Sequence, residues 1–312
     1  MNALITGIDG FVGGYLLDLL LEKNINVYGT KLHSSYDNPK CKKVYTLNLS
    51  DTEMIKEILI ETKPDYIFHL AGQSSVHHSW KSPALTITAN VIGTINMLEA
   101  IKSYSGHSKI LIVGSSDQYG IVTPDNCPIK ETLENSPQSP YATSKKAQEE
   151  IALQYYKAYA LNILVARSFN HIGPNQREGF VIADFASQIA GIEKKESNPV
   201  LKVGNLKAKR DFTDVRDVVR AYYDIMTSGH IGEVYNVGSG NAYSIADLLD
   251  KMIALSTEPI TIEADPSRMR PSDVPLIQCD NTKVYKDCGW KTTIPIEKTL
   301  LDTLNYWRLK KS

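Results

Sequence analysis

Cysteine is scarce: the chain of 312 residues has four, Cys41, Cys127, Cys279 and Cys288. Four thiols make no disulfide framework. Cys279 and Cys288 stand nine apart with no histidine pair beside them, which does not match a zinc-ligand spacing. An excess of either charge is also missing. Lys plus Arg is 34 and Asp plus Glu is 35, a net charge of −1, so nothing electrostatic recommends nucleic acid or an anionic membrane surface as partner. No apolar run nears the ~18 residues of a membrane span. Ala3-Leu4-Ile5 already reads as a strand next to Met1, which predicts no secretory leader and a cytoplasmic protein. The sequon Asn48-Leu49-Ser50 is then not expected to carry sugar. His77 and His78 are neighbours that cannot share one face, and no carboxylate cluster follows them, so no metal is expected. Internal repeats and low-complexity segments are lacking too.

What is present is an ordinary folded composition, 42% hydrophobic and 22% charged, long enough for a large core or about two domains. Short apolar runs at 3–6, 26–28, 66–70, 110–113 and 162–166 alternate with amphipathic stretches such as 13–22, 52–60 and 90–103. Buried, non-alternating strands between helices predict an α/β fold, a Rossmann-type doubly wound parallel sheet. After residue 167 the regularity gives way to loops rich in Gly, Pro, Asn and Arg, with a strand at 233–237 and a helix at 245–255. The expected organisation is a dinucleotide-binding domain over 1–166 with returning segments at about 211–240. A smaller α/β substrate domain is expected from 167–210 and 241–312. Trp80, Trp290 and Trp307, and the pairs Tyr155-Tyr156 and Tyr222-Tyr223, are expected to be packing residues. His171 is expected to pack or to line the cofactor pocket.

Ligands of such sheets sit outside the carboxyl ends of the strands. There the first strand runs into Thr6-Gly7-Ile8-Asp9-Gly10-Phe11-Val12-Gly13. Gly7 permits a tight turn, Gly10 lets backbone approach a pyrophosphate, and Gly13 lets the helix pack on the strand. Phe11 and Val12 complete this turn. The second strand ends Val27-Tyr28-Gly29-Thr30-Lys31-Leu32-His33-Ser34, with no acid until Asp37. An acid would bond a ribose diol and repel a 2′-phosphate. Lys31, His33 and Ser34 could instead neutralise and hydrogen-bond a phosphate, with Thr30 beside them, so NADPH is favoured, and NADH is the alternative.

A second motif opens a long helix to about residue 160: Pro140-Tyr141-Ala142-Thr143-Ser144-Lys145. Tyr141 and Lys145 are one turn apart and project together. An adjacent ammonium is expected to lower the phenol pKa, so that Tyr141 exchanges a proton with a carbonyl or alcohol. The run 110–113 ends in Gly114-Ser115-Ser116-Asp117-Gln118-Tyr119-Gly120, a loop that should face the same cleft, with Ser116 and Asp117 toward substrate.

Together, Gly7/Gly10/Gly13, the Ser115 loop and Tyr141 with Lys145 resemble the signature of the extended short-chain dehydrogenase/reductase family over the whole chain. Three further stretches resemble its branch acting on GDP-mannose derivatives: Arg167-Ser168-Phe169-Asn170-His171-Ile172-Gly173-Pro174, the segment from Lys202 to Asp217, and Arg270-Pro271-Ser272-Asp273-Val274-Pro275. The resemblance implies NAD(P)H-dependent reduction of the C4 ketone of GDP-4-dehydro-6-deoxy-D-mannose to GDP-D-rhamnose. The alternatives are GDP-mannose 4,6-dehydration, 4-epimerisation and non-catalytic dinucleotide sensing. The resemblance gives Tyr141 as the acid, Lys145 as the holder of the nicotinamide ribose, and Ser115 as the carbonyl partner. It places Asn48, Leu49, Leu70 and Ala71 along the adenine and pyrophosphate, and Phe169 beside the nicotinamide. Asn170, Arg210 and Arg270 would grip the nucleotide diphosphate, and Asp273 the guanosine ribose. It also implies a homodimer through the helices at 90–103 and 141–160. In the dehydratases a glutamate stands three residues before the glycine of the Tyr-Gly pair; here Asp117 holds that place.

Overall fold

The structure, a computed structural model, describes residues 1–32, 35–268 and 274–310. Its first half alternates as expected. The elements are β1 (Asn2–Thr6), α1 (Phe11–Glu22), β2 (Asn26–Lys31), β3 (Lys43–Thr46), α2 (Thr52–Thr62), β4 (Tyr66–His69), α3 (Val76–Lys81), α4 (Pro83–Ile87), α5 (Gly93–Tyr104), β5 (Lys109–Ser115), α6 (Pro140–Tyr159) and β6 (Asn162–Ser168). The second half contributes β7 (Asn170–Ile172), α7 (Val181–Glu193), β8 (Val200–Val203), β9 (Lys209–Asp214), α8 (Val215–Ser228), β10 (Val234–Val237), β11 (Ala242–Ser244), α9 (Ile245–Ile253), β12 (Thr261–Ala264), β13 (Leu276–Ile277), α10 (Thr282–Cys288) and α11 (Ile296–Lys310).

Seven strands form one parallel sheet in the order β10-β6-β5-β4-β1-β2-β3. The order reverses between β1 and β4, so the crevice that binds ligands in such sheets opens there. Both faces are covered. Leu16, Leu17 and Leu20 of α1 pack with Val218, Tyr222 and Ile225 of α8 on one side. Ile55 and Ile58 of α2, Met97 and Ile101 of α5 and Ala152 of α6 pack on the other. A separate core joins α7, α9 and α11 through Ile182, Phe185, Leu248, Leu249, Leu300 and Trp307. Beside it β9 pairs with β11, β13 and β7, and β12 pairs with β8.

Two expectations need correction. The helical run 83–104, 22 residues including a π-helical stretch at Thr88–Ile92, is long and apolar enough by composition to cross a membrane. Half of its apolar window is packed inside the fold, as in the core helix of a globular protein. Trp80 is 60% exposed on the short helix α3, not packed, whereas Trp290 and Trp307 are buried. Tyr222 is buried and shares a hydrogen bond with Ser168, while the Tyr155 hydroxyl donates to Glu99 at the surface. All four cysteines are free thiols.

Candidate active site

Because every strand of the large sheet is parallel, their carboxyl ends share one edge. At the end of β1 the chain turns through Gly7 with φ +71°, a conformation only glycine takes cheaply. The Ile8 N–H donates to the Thr30 carbonyl at 3.0 Å, and the Gly10 N–H to the Gly7 carbonyl at 3.0 Å. A Cβ on Gly13 would lie 2.5 Å from the Ile8 carbonyl oxygen, so glycine there lets α1 rest directly on the turn. Gly10 caps α1 without any side-chain hydrogen bond. The first N–H groups of α1, in Phe11, Val12 and Gly13, thus have no side-chain cap and can serve an anion, and the dipole favours one. Ala71 lies against this turn: its N–H donates to Thr6 Oγ1 at 3.0 Å, and a Cβ on Gly7 would come within 3.0 Å of Ala71 Cα; Leu70 before it is half-buried. This cradle fits a dinucleotide pyrophosphate.

The remaining cofactor candidates are spread along the same edge. Thr30 is buried, and the half-buried Lys31 donates its ammonium to the Tyr36 carbonyl at 2.5 Å. Asn48 is exposed in a turn that its own side chain closes on the Ser50 N–H. Leu49 packs on α5 at Gly93. Phe169 is buried with its ring centroid 6.4 Å from that of Tyr119. The His171 ring stacks on Phe11, centroids 6.0 Å apart and planes 5° from parallel, so this histidine packs against the glycine turn.

The placement of Tyr141 and Lys145 follows from how α6 begins. Ser139 caps it by accepting from the Ala142 N–H at 3.1 Å, with Pro140 in the first turn. Tyr141 and Lys145 follow one turn apart on the buried face. Lys145 donates to the Val113 carbonyl at 2.8 Å and to Gln148 Oε1 at 2.9 Å. Burial alone lowers its pKa to about 8. Tyr141 behaves opposite to expectation. Burial pushes its phenol up, the Asp117 charge adds to that, and a hydrogen bond with the Ser115 hydroxyl opposes them. Lys145 is not among the charges acting on the phenol; its ammonium is engaged by Val113 and Gln148, and desolvation of the phenolate wins. Ser115 closes β5. Its hydroxyl accepts from the Asp117 N–H at 3.2 Å, Ser116 is buried, and Asp117 is exposed.

Behind the pair runs a buried polar chain that sequence reasoning missed. Gln148 Nε2 donates to Thr94 Oγ1 at 2.7 Å, and the Thr94 hydroxyl donates to the Asn90 carbonyl at 2.7 Å. His69 Nε2, 3.1 Å from Thr94 Oγ1, must therefore be the donor there, leaving Nδ1 to accept from the Thr6 hydroxyl at 3.0 Å. This neutral tautomer agrees with burial holding His69 down at about 3. The chain links Lys145 to Thr6 at the glycine turn. No pattern of spacing announces it, because its members come from β1, β4, α5 and α6.

On the substrate side, β7 pairs with β9, setting Asn170 opposite Phe212, two residues from Arg210. The half-buried Arg210 guanidinium donates to the Val274 carbonyl at 2.5 Å and the Lys209 carbonyl at 2.9 Å. The buried Asp211 accepts from the N–H groups of Ser239, Gly240 and Cys279, fixing the strand that carries Arg210. Arg270 and Asp273, like His33 and Ser34 after β2, lie outside the described residues. Among the described residues, no three His, Cys, Asp or Glu side chains come together as a metal site.

A doubly wound sheet with this turn, and with Ser115, Tyr141 and Lys145 along its carboxyl edge, defines an NAD(P)-dependent oxidoreductase of the extended short-chain dehydrogenase/reductase type. The chain matches the family described as GDP-mannose 4,6 dehydratase over residues 4–303, and it belongs to that family. It is 35% identical over 303 residues to a GDP-6-deoxy-D-mannose reductase of Pseudomonas aeruginosa, covering 97% of this chain and 96% of the relative. It is 31% identical to GDP-mannose 4,6 dehydratase 2 of Arabidopsis thaliana over 318 residues, 95% of this chain and 84% of the other. Its structure is similar to that of the Pseudomonas aeruginosa protein described as RMD complexed with NADPH. The TM-score is 0.86 at 33% identity, covering 99% of both chains.

Proposed function

We propose that the chain reduces the C4 ketone of GDP-4-dehydro-6-deoxy-D-mannose to GDP-D-rhamnose with NADPH. The observation that carries the reading is the placement of Tyr141, buried one turn before Lys145 on α6, whose ammonium ties that helix to the strand ending in Ser115. Reduction of a ketone calls for an acid at the carbonyl oxygen, and a neutral phenol is one. The cofactor supplies hydride to C4. Ser115 orients the carbonyl and Tyr141 gives its proton to the C4 oxygen. Two of the three Lys145 N–H donors go to Val113 and Gln148, and the third serves the nicotinamide ribose. The likeness to a protein named as a GDP-6-deoxy-D-mannose reductase supports the same reading.

In this reading Asn170, Arg210 and Arg270 hold the diphosphate and Asp273 the guanosine ribose. Gly7, Gly10, Phe11, Val12, Gly13, Thr30, Lys31, Asn48, Leu49, Leu70, Ala71 and Phe169 line the cofactor. The cofactor domain is 1–166 with the returning segments at 211–240. The sugar nucleotide is held by 167–210 and 241–312. The enzyme works in the cytoplasm as a homodimer through the helices at 90–103 and 141–160, where Ile92 is 43% exposed; light scattering in solution tests that state. The reaction is tested by incubating the protein with NADPH and the GDP-linked 4-keto-6-deoxy sugar and identifying the product by NMR. Unchanged keto sugar refutes it.

A further inference from the structure

Tyr141, Lys145 and Glu149 stand at i, i+4 and i+8 on one face of α6, and all three are buried. The first two have roles above. Glu149 has none, yet it is among the most enclosed charges in the protein, 3% exposed. It meets Arg167 of β6, itself 6% exposed, in a two-pronged pair: Nε to Oε2 at 2.9 Å and Nη2 to Oε1 at 2.5 Å. The remaining guanidinium nitrogen, Nη1, donates to the Tyr119 hydroxyl at 2.7 Å and the Glu131 carbonyl at 3.0 Å. The guanidinium also lies over the Tyr119 ring, 4.9 Å from its centroid. Glu149 Oε2 accepts a second bond, from Gln118 Nε2 at 2.9 Å. The other end of that amide, Oε1, accepts the Ser115 backbone N–H at 2.8 Å.

The connections join strand to helix. Ser115 is tied through Gln118 to Glu149, and Glu149 stands two turns along α6 from Tyr141 on the same buried face. Gly114 makes room for the Gln118 link, since a Cβ there would sit 2.6 Å from Gln118 Oε1. A buried ion pair is a poor device for stability alone, because desolvating two charges offsets most of their attraction. A forked guanidinium on a carboxylate is a good device for fixing a position. We infer that Glu149, clamped by Arg167 and acting through Gln118, is a positioning residue that sets Ser115 against Tyr141 for the transfer. The inference rests on the reading of Ser115 as the group that orients the carbonyl.

The test is a double-mutant cycle in the full-length protein, measured by NADPH oxidation at saturating keto sugar, with Gln118→Met and Ser115→Ala. Ser115→Ala removes a donor to the carbonyl oxygen and is expected to lower kcat about a hundredfold. Gln118→Met is expected to lower kcat about tenfold by loosening Ser115, with the KM values for both substrates nearly unchanged. In the Ser115→Ala background the same change should do nothing further. Glu149→Gln, which keeps the shape and can still accept from Gln118, should give a smaller loss that also vanishes in that background. Backbone hydrogen exchange over residues 114–120 supplies a readout without turnover: it should quicken in Gln118→Met while the rest of β5 stays protected. Full kcat in Gln118→Met, multiplicative losses in the double variant, or unchanged exchange at 114–120 would each overturn the inference. Full kcat in Ser115→Ala overturns the reading of Ser115 and the inference with it. A wild type that leaves the keto sugar untouched refutes only the proposed reaction, and the exchange result then decides the positioning.

Discussion

The Lys145 ammonium of α6 donates at 2.8 Å to the carbonyl of Val113, two residues before Ser115 on β5. One charge thus pins the helix that carries Tyr141 to the strand that ends in Ser115. Burial holds its pKa at about 8, against 10.5 for an ordinary lysine. In the proposed reaction the ammonium holds the nicotinamide ribose below pH 8; above it the group is a neutral amine and that hold weakens. The rate of reduction is expected to fall as pH rises through about 8. Stability should move the other way. Between pH 8 and 10.5 the unfolded chain binds a proton at this site that the folded one does not, so this group's contribution to stability rises with pH there. A pH profile of kcat with denaturant melts across pH 7–10 checks both. A flat rate through pH 9 would remove Lys145 charge from the mechanism.

Cofactor choice turns on the end of β2, where Lys31 stands and no acid follows until Asp37. Its ammonium already has the Tyr36 carbonyl at 2.5 Å, which holds it in place rather than leaving it to sweep solvent. We expect kcat/KM to favour NADPH over NADH in the wild type and to favour it less in Lys31→Ala. Equal efficiency with the two cofactors, unmoved by the substitution, would defeat the 2′-phosphate argument.

Arg210 is half-buried and braced by two carbonyls, with Asp211 anchoring the strand behind it. A braced guanidinium loses little freedom on meeting a diphosphate. Arg210→Ala should raise the KM for the sugar nucleotide by removing a charge-assisted contact worth roughly 1.5–3 kcal/mol, about tenfold or more. The dissociation constant of NADPH, followed by its fluorescence, should barely change. Normal sugar-nucleotide binding in this variant would place the diphosphate elsewhere.

The parts of the fold that showed in the sequence are those whose physics is local. Strands buried on both faces, such as Lys109–Ser115 and Asn162–Ser168, are near-continuous apolar runs. Tyr141 and Lys145 lie on one helix, and Gly7 to Gly13 on one turn, so their spacing carries their geometry. The edge strand Lys43–Thr46 escaped notice because it buries only Tyr45 and has two charged or polar residues in the open. Long-range partnerships left no trace: Glu149 finds Arg167 across 18 residues and His69 finds Thr94 across 25. The rise in the Tyr141 pKa is likewise invisible to spacing, because it comes first from burial of the phenol by the fold, while the Lys145 ammonium on the same face is taken by Val113 of another element.

The last prediction separates reduction from elimination of water. A lyase acting on GDP-mannose needs a base that reaches the C5 proton after the C4 ketone has formed. The dehydratase pattern has a glutamate where this chain has Asp117, one methylene shorter, and a misplacement of about 1 Å can cost on the order of a hundredfold in rate. Asp117 is exposed at the loop, and its charge raises the Tyr141 pKa, which hinders the phenolate that oxidation at C4 would call for. Burial is the larger cause, so Tyr141 should stay protonated without Asp117. Asp117→Ala is therefore expected to keep most of the NADPH oxidation with the keto sugar, whereas Tyr141→Phe should nearly abolish it. GDP-mannose alone should release negligible 4-keto-6-deoxy sugar. Repeated turnovers of GDP-mannose dehydration by the wild type, with no net consumption of NADPH, would assign the site to the lyase instead.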